Sequence, residues 1–221
     1  MKLNARLGAA AAFIRAPVHL DIGADHALLP LYLLATGRTA KALVIEKHRG
    51  PFERSRQALR AHLQAGSAEL RCGDGLEPLC PGEVSSLSLC GVGAELTVNI
   101  LSRHPERLPE HLVLQPNDAP EPLRRWARGA GFHLADETMV SGFWNYTVLS
   151  LVRGDAGAAY GDLPLELALR FGPHLLRRRH PVLLAELRQQ RSRARKLLQH
   201  CSSNTLKNKL ALAEAALELS T

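Results

Sequence analysis

Short apolar runs alternate with amphipathic stretches between residues 18 and 152, and almost every apolar run ends on a glycine or an acid. No other feature restricts the fold as tightly. Strands and helices taken in turn build an α/β fold, a mostly parallel sheet covered on both faces. Val18–Ile22 reads as a strand running into Gly23, Ala42–Ile45 as one ending at Glu46, and Ala68–Cys72 as one entering Gly73–Asp74–Gly75. Val84–Cys90 runs into Gly91–Val92–Gly93, and Leu112–Gln115 is broken by Pro116–Asn117. Between these lie ALLPLYLLATG, with Pro30 in its first turn, and helices expected over 51–65, 94–103 and 120–130. An amphipathic helix over 4–14 precedes the first strand; Arg15 interrupts its apolar stretch, which argues against a signal peptide. Phe132–Met139 and Asn145–Val152, joined through Ser141–Gly142, fit an antiparallel pair at the sheet edge.

The pattern changes after residue 153. Gly154–Asp162 reads as a flexible connector, followed by LPLELALRFG, a long helix over 179–201 and a last helix over 206–219. The final two form a helical hairpin. The expected division is a ligand-binding domain at 1–153, a connector at 154–162 and a helical domain at 163–221. Charge follows the same boundary: residues 1–153 carry 17 basic and 15 acidic side chains, whereas 170–209 carry 11 basic groups against Glu186 alone. A field of that sign favours a polyanion, and nucleic acid is the commonest one. Four cysteines without a CxxC pair imply reduced, structural thiols, a cytoplasmic setting and no metal. No apolar run approaches the ~20 residues of a membrane span, so no membrane partner is expected. No protein partner is required, and the oligomeric state is left open.

Open parallel sheets bind ligands at the C-terminal ends of their strands. The run DIGADHALLP is not GxGxxG, and its acids sit poorly against a pyrophosphate; GxxxxGK[ST] is absent as well. A cofactor whose nucleoside carries no phosphate tolerates these acids better. Glu46 offers two carboxylate oxygens to the two hydroxyls of a ribose. Asp74, between Gly73 and Gly75, is placed to accept from an adenine amino group where the backbone can come close. Gly91 and Gly93 leave room for a second flat ring or a sulfonium. Taken singly, Asp25 also fits a helix cap, Glu46 a solvated strand end and Asp74 a turn. Acids after strands one, two and three together favour S-adenosylmethionine. No nucleophile elbow stands out, which disfavours hydrolase chemistry.

Several stretches, in order along nearly the whole chain, resemble the bacterial tRNA (adenine-22-N1)-methyltransferase family. They are RL–AAAAFI near the start, DIGADHALLP at 21–30, GPF at 50–52, GDGLEPL at 73–79, PGEV at 81–84 and GVG at 91–93. LQPN at 114–117, LRRW at 123–126 and FGPHLLRRRHPVLLAEL at 171–187 complete the set. The resemblance implies a class I methyltransferase domain, Rossmann-like, followed by a small helical domain. It implies Asp21, Gly23 and Asp25 in the first cofactor loop, Glu46 at the ribose, Asp74 near adenine, and Gln115 and Asn117 near the substrate mouth. His26, Gly75, Gly91 and Gly93 are expected to complete the cofactor site. Two departures stand out. Ala94 follows GVG where the family commonly reads GMGG, and Lys47–His48–Arg49 is unusually basic.

The activity so implied is methyl transfer to N1 of an adenine in tRNA, at position 22. Adenine N1 already carries a lone pair, so the site must orient it and stabilise charge developing on the ring. Asp25 is the expected catalytic carboxylate for that task. The N1 edge is paired in a helix, so the base must be unpaired or extruded. Arg177, Arg178 and Arg179 are the expected phosphate contacts, with His174 and His180 on either side. Trp144 and Tyr146 on the edge segment suit base stacking, whereas Trp126 and His19 read as packed residues. The alternative is a non-catalytic RNA-binding protein that keeps the fold, an option motivated by Ala94 and by the absence of an NPPY-like adenine clamp.

Overall fold

The computed structural model describes residues 2–219. Its strands are β1 (Val18–Ile22), β2 (Lys41–Glu46), β3 (Ala68–Cys72), β4 (Ser86–Val92), β5 (His111–Pro116), β6 (Phe132–Ser141) and β7 (Asn145–Arg153). The helices are α1 (Ala5–Phe13), α2 (Leu28–Ala35), α3 (Arg49–Ala58), α4 (Arg60–Gln64), α5 (Ala94–Arg103), α6 (Glu121–Gly129), α7 (Leu165–Phe171), α8 (Pro173–Arg177), α9 (Pro181–Leu198) and α10 (Asn204–Glu218). The strands form one sheet in the order β3-β2-β1-β4-β5-β7-β6, with β7 antiparallel to both neighbours as the edge reading expected.

Strand order reverses at β1, which pairs with β2 on one side and β4 on the other. The chain therefore leaves these strands in opposite directions and opens a crevice at their C-terminal ends. Leu20, Leu43, Leu87, Leu112 and Leu151 fill one face of the sheet, while Val44 and Val113 belong to clusters on the other. Burial on both faces is why these strands read as continuous apolar runs instead of alternating ones.

Three expected elements differ. The helix expected over 51–65 is interrupted at Leu59, dividing α3 from α4. The long basic helix begins at Pro181, not 179, and a short α8 precedes it. Arg179 occupies the left-handed region (φ 49°) and His180 is held extended before a proline, so the chain must restart its helix there. The stretch 154–162 is no free connector: Ala159 and Tyr160 are buried in the main core, as are Ala168 and Leu169 of α7.

A buried ion pair joins the C-terminal helices to the sheet. Arg124 of α6 and Glu137 of β6 are 1% and 0% exposed, with Nη2–Oε2 at 2.6 Å. Arg124 also donates to the Leu169 and Arg170 carbonyls, at 2.9 and 3.2 Å, while Glu137 accepts the His174 N–H at 3.1 Å. Gly172 passes over this pair at φ 96°, where a Cβ would stand 2.4 Å from Glu137 Oε1 and 2.7 Å from Arg124 Nη2. The close passage requires glycine. Within LRRW and FGPH, Arg124 and Gly172 thus hold the fold together.

Candidate active site

The crevice at the ends of β1 and β4 contains a cavity of about 220 Å³ walled by Arg6, Asp21, Gly23, Asp25 and Gly91 among others. Asp21 closes β1 and is 4% exposed. Burial raises its carboxyl to about 7, opposed by the hydrogen bond it accepts from Ser88 Oγ at 2.5 Å. Ser88 is oriented in turn by His19, whose ring nitrogens lie 2.7 Å from Ser86 Oγ and 2.8 Å from Ser88 Oγ. Burial lowers the His19 ring to about 3, so it bridges the two serines as a neutral group. His19 is packed, as expected, but within a polar chain that ends at a cavity carboxylate.

Glu46 closes β2. Its Oε1 accepts the Asp25 N–H at 2.6 Å and the Ser55 hydroxyl at 3.3 Å, which fixes the carboxylate and leaves Oε2 for another donor. Burial also raises this carboxyl above its ordinary value. Asp74 after β3 is less free. Lys47 Nζ and Arg103 Nη1 lie 2.8 and 3.1 Å from its Oδ2 and hold its carboxyl below the usual range. That contact gives the unusual Lys47 a partner and leaves Oδ1 for an amino donor. Gly75 turns the chain immediately after Asp74, with φ 60°.

Asp25 stands on the cavity wall, but its carboxylate is turned to Arg54 of α3, with Nε–Oδ1 at 2.8 Å. The guanidinium offsets the negative charge that a developing cation would need. Asp25, the expected catalytic carboxylate, thus has a second set of contacts: its backbone N–H positions Glu46, and its side chain ties the loop to α3. It does not cap α2, because the N-cap is Ala27 and no side chain serves there. His26 is exposed, its Nε2 3.7 Å from Asp25 Oδ2.

The missed residue of greatest consequence is Arg6. It projects from α1 across the cavity, donates to Gln115 Oε1 at 2.5 Å and lies 5.9 Å from the centre of the Tyr146 ring. A Cβ on Gly91, which has φ 84°, would meet Arg6 Nη1 at 3.0 Å. Gln115 is fully buried, so it bears on the mouth by anchoring Arg6. Asn117 is exposed and donates to the Gly91 carbonyl at 2.6 Å, while Asp118, also missed, accepts the Ala94 N–H at 2.7 Å at the start of α5 beside Gly93. Ala94 itself is 1% exposed within the main core and lacks a positive φ, so its Cβ neither crowds the cavity nor strains the turn. That placement removes Ala94 as a motive for the non-catalytic alternative.

Arg177 and Arg178 of the expected phosphate-binding triplet have partners within the fold. Arg177 pairs with Asp162 at 2.5 Å and donates to the Ala159 carbonyl at 2.6 Å. Arg178 pairs with Asp136 and donates to the Glu137 carbonyl, both at 2.5 Å. Arg177 fastens α8 to the 154–162 segment, Arg178 at the C-cap of α8 fastens it to β6, and Arg179 forms the left-handed turn beyond. The outward cations lie farther along. Arg188, Arg193 and Lys196 on α9 are exposed with no carboxylate partner among the described residues, and Arg193 joins Arg170 and Lys209 around a groove of about 330 Å³.

The reversed strand order and an acid-lined crest without a phosphate loop define a class I methyltransferase. Residues 19–221 match the family model described as tRNA (adenine(22)-N(1))-methyltransferase. The chain belongs to that family. A *Bacillus subtilis* (strain 168) protein of that description is 31% identical over 98% of this chain and 93% of its own length. The crystal structure of a B. subtilis m1A22 tRNA methyltransferase superposes with TM-score 0.82 at 30% identity, covering 99% of this chain and 97% of that one. A *Streptococcus pneumoniae* structure, a putative tRNA (m1A22) methyltransferase in complex with S-adenosyl-L-methionine, gives TM-score 0.85 at 25% identity over 98% and 100% of the two chains.

Proposed function

We infer that this chain transfers the methyl group of S-adenosylmethionine to N1 of an adenine in tRNA, with position 22 as the target. The observation that carries this reading is the cavity at the strand-order reversal, walled by buried Asp21 and open at Gly23 and Gly91, with fixed Glu46 one strand away. Its donor and acceptor set fits the cofactor. Asp21, carrying a carboxylate that burial disfavours, suits a cationic ammonium or sulfonium. Glu46 Oε2 suits a ribose hydroxyl, and Asp74 Oδ1 an adenine amino group. Both relatives named with m1A22 activity cover nearly the whole chain, which supports the same target here.

When bound, S-adenosylmethionine supplies an electrophilic methyl on a sulfonium. The protein need not remove a proton to create the nucleophile, because adenine N1 has its own lone pair. Its task is placement and electrostatics. Arg6, Gln115 and Tyr146 shape one side of the mouth, and the Asn117–Asp118 segment is tied by hydrogen bonds to Gly91, Val92 and Ala94 on the other. Residues 1–153 would hold the cofactor, and the outward cations of 163–221 would hold the RNA backbone. The test is transfer of labelled methyl to unmodified tRNA, with the modified position mapped by primer-extension arrest. Label on N1 of the position-22 adenine, lost when guanine replaces that adenine, is expected. Absence of transfer to any tRNA overturns the assignment.

A further inference from the structure

The turn between β6 and β7 carries two large aromatic residues that the fold does not bury. Phe143 is 86% exposed and Trp144 64%, and their rings meet edge to face, centroids 4.8 Å apart at 82°. Exposing two aromatic rings forgoes the burial that normally stabilises them, which marks a surface made for contact. Their position is specific. β7 runs antiparallel to β5 with His111 opposite Val152 and Leu114 opposite Leu149, a register that brings Thr147 level with Pro116. The turn therefore rises about 10 Å beyond the strand ends that line the cavity, at ~3.3 Å per residue.

The base of the turn is held firmly. The Gly142 N–H donates to the Trp144 carbonyl at 2.9 Å, and Asn145 Nδ2 donates to Glu186 Oε2 of α9 at 2.8 Å. Arg6 lies over the Tyr146 ring just below. The acid of the basic stretch 170–209 thus anchors the aromatic turn, and α9 continues from that anchor toward exposed Arg188 and Arg193. Flat apolar faces beside a cationic helix are complementary to nucleobases on a phosphate backbone.

We propose that Phe143 and Trp144 form a stacking platform for an unpaired nucleobase of the tRNA next to the one being methylated, holding the strand open so that the target N1 edge can enter the cavity. The proposal rests on the tRNA methyltransferase reading above. Extruding a base exposes the faces of its neighbours, and an aromatic ring outside the cavity mouth replaces the lost stack. Replacing a ring by an aliphatic side chain keeps apolar surface but removes the π face, so that substitution separates stacking on a nucleobase from plain apolar contact.

The experiment compares wild type, Trp144→Phe, Trp144→Leu and the double variant Phe143→Ala/Trp144→Ala in tRNA binding and methylation, with S-adenosylhomocysteine affinity as the control for an intact fold. The double variant should weaken tRNA binding roughly tenfold to a hundredfold, Trp144→Leu should show most of the loss attributable to Trp144, and Trp144→Phe should stay within about threefold of wild type. Cofactor affinity should not change. In a Trp126→Phe background, Trp144 is the sole tryptophan, and its fluorescence should be quenched by tRNA but not by a fully paired duplex. Equal tRNA affinity for all variants overturns the platform, as does full activity in Trp144→Leu. Loss of self-association or of binding to anionic vesicles, with tRNA affinity unchanged, also overturns it in favour of a protein or lipid partner. If wild type fails to methylate tRNA, the functional reading fails separately. Quenching by an unpaired RNA loop still decides the stacking.

Discussion

The strand-end crest and the outer face of α9 use charge in opposite ways. At the crest, Asp21 and Glu46 are buried and fixed by one or two hydrogen bonds each. On α9, Arg188, Arg193 and Lys196 stand in solvent with no carboxylate partner among the described residues. A buried, oriented acid discriminates between ligands because its desolvation is offset only by a partner in the right place. An exposed cation contributes an additive attraction that salt removes. On the proposed function, one region would recognise chemistry and the other a charged shape.

The strongest way to break the comparison is to detach the two regions. Glu137→Ala leaves Arg124 buried without its carboxylate and should cost about 3–5 kcal/mol of stability, read by urea unfolding. At the crest, Glu46→Ala should weaken S-adenosylhomocysteine binding by about 1.5–3 kcal/mol, roughly tenfold to over a hundredfold, in calorimetric titration of the folded variant.

Neutralising Arg188, Arg193 and Lys196 together should weaken tRNA binding and reduce its salt slope by up to about three units, leaving cofactor affinity unchanged. Neutralising Arg177 and Arg178 instead should leave the slope near wild type, because their charges already face Asp162 and Asp136. Parallel titrations over several salt concentrations distinguish the two sets.

Asp21 sharpens the contrast through pH. Its carboxyl titrates near 7 in the folded protein against 3.8 ordinarily, so the unfolded chain loses the proton first as pH rises. The stabilising contribution of the protonated group is present below the ordinary value and is lost on rising through about 7. Asp21→Asn should therefore raise the Tm by a few degrees at about pH 8 with little change at about pH 4. The same substitution should flatten the rise of cofactor affinity with pH. The smallest effect belongs to Asp25→Asn, whose charge Arg54 already offsets: single-turnover methyl transfer should fall by less than about threefold.

Much of this contrast was legible in the sequence, since strand-end acids and a basic stretch are local signals. β1, β2 and β4 announce themselves by apolar runs ending in Asp21–Ile22–Gly23, Glu46 and Gly91. What could not be read was the partnership of each charge. Residue 6 meets residue 115 only because α1 lies across the crest, and no spacing rule spans that interval. Arg177 looks like any arginine in a basic run until Asp162 is beside it. Arg124 in LRRW resembles a surface helix residue, although it is fully buried. Local pattern locates charged groups, whereas tertiary packing decides which remain available.

The Arg124–Glu137 pair has a consequence for how a folded RNA is measured. α6 starts directly after the Asn117–Pro120 segment of the mouth, and the pair fixes α6 and β6 to the backbone of α7 and α8, which leads into α9. The interval between cavity and cationic helix is set by this rigid connection and not by a swinging tether. Such a molecule acts as a ruler. On the proposed function, an RNA would gain both interactions only if its unpaired adenine lay at the matching span from a phosphate ridge, so selection among tRNAs would begin with a length before any base is read.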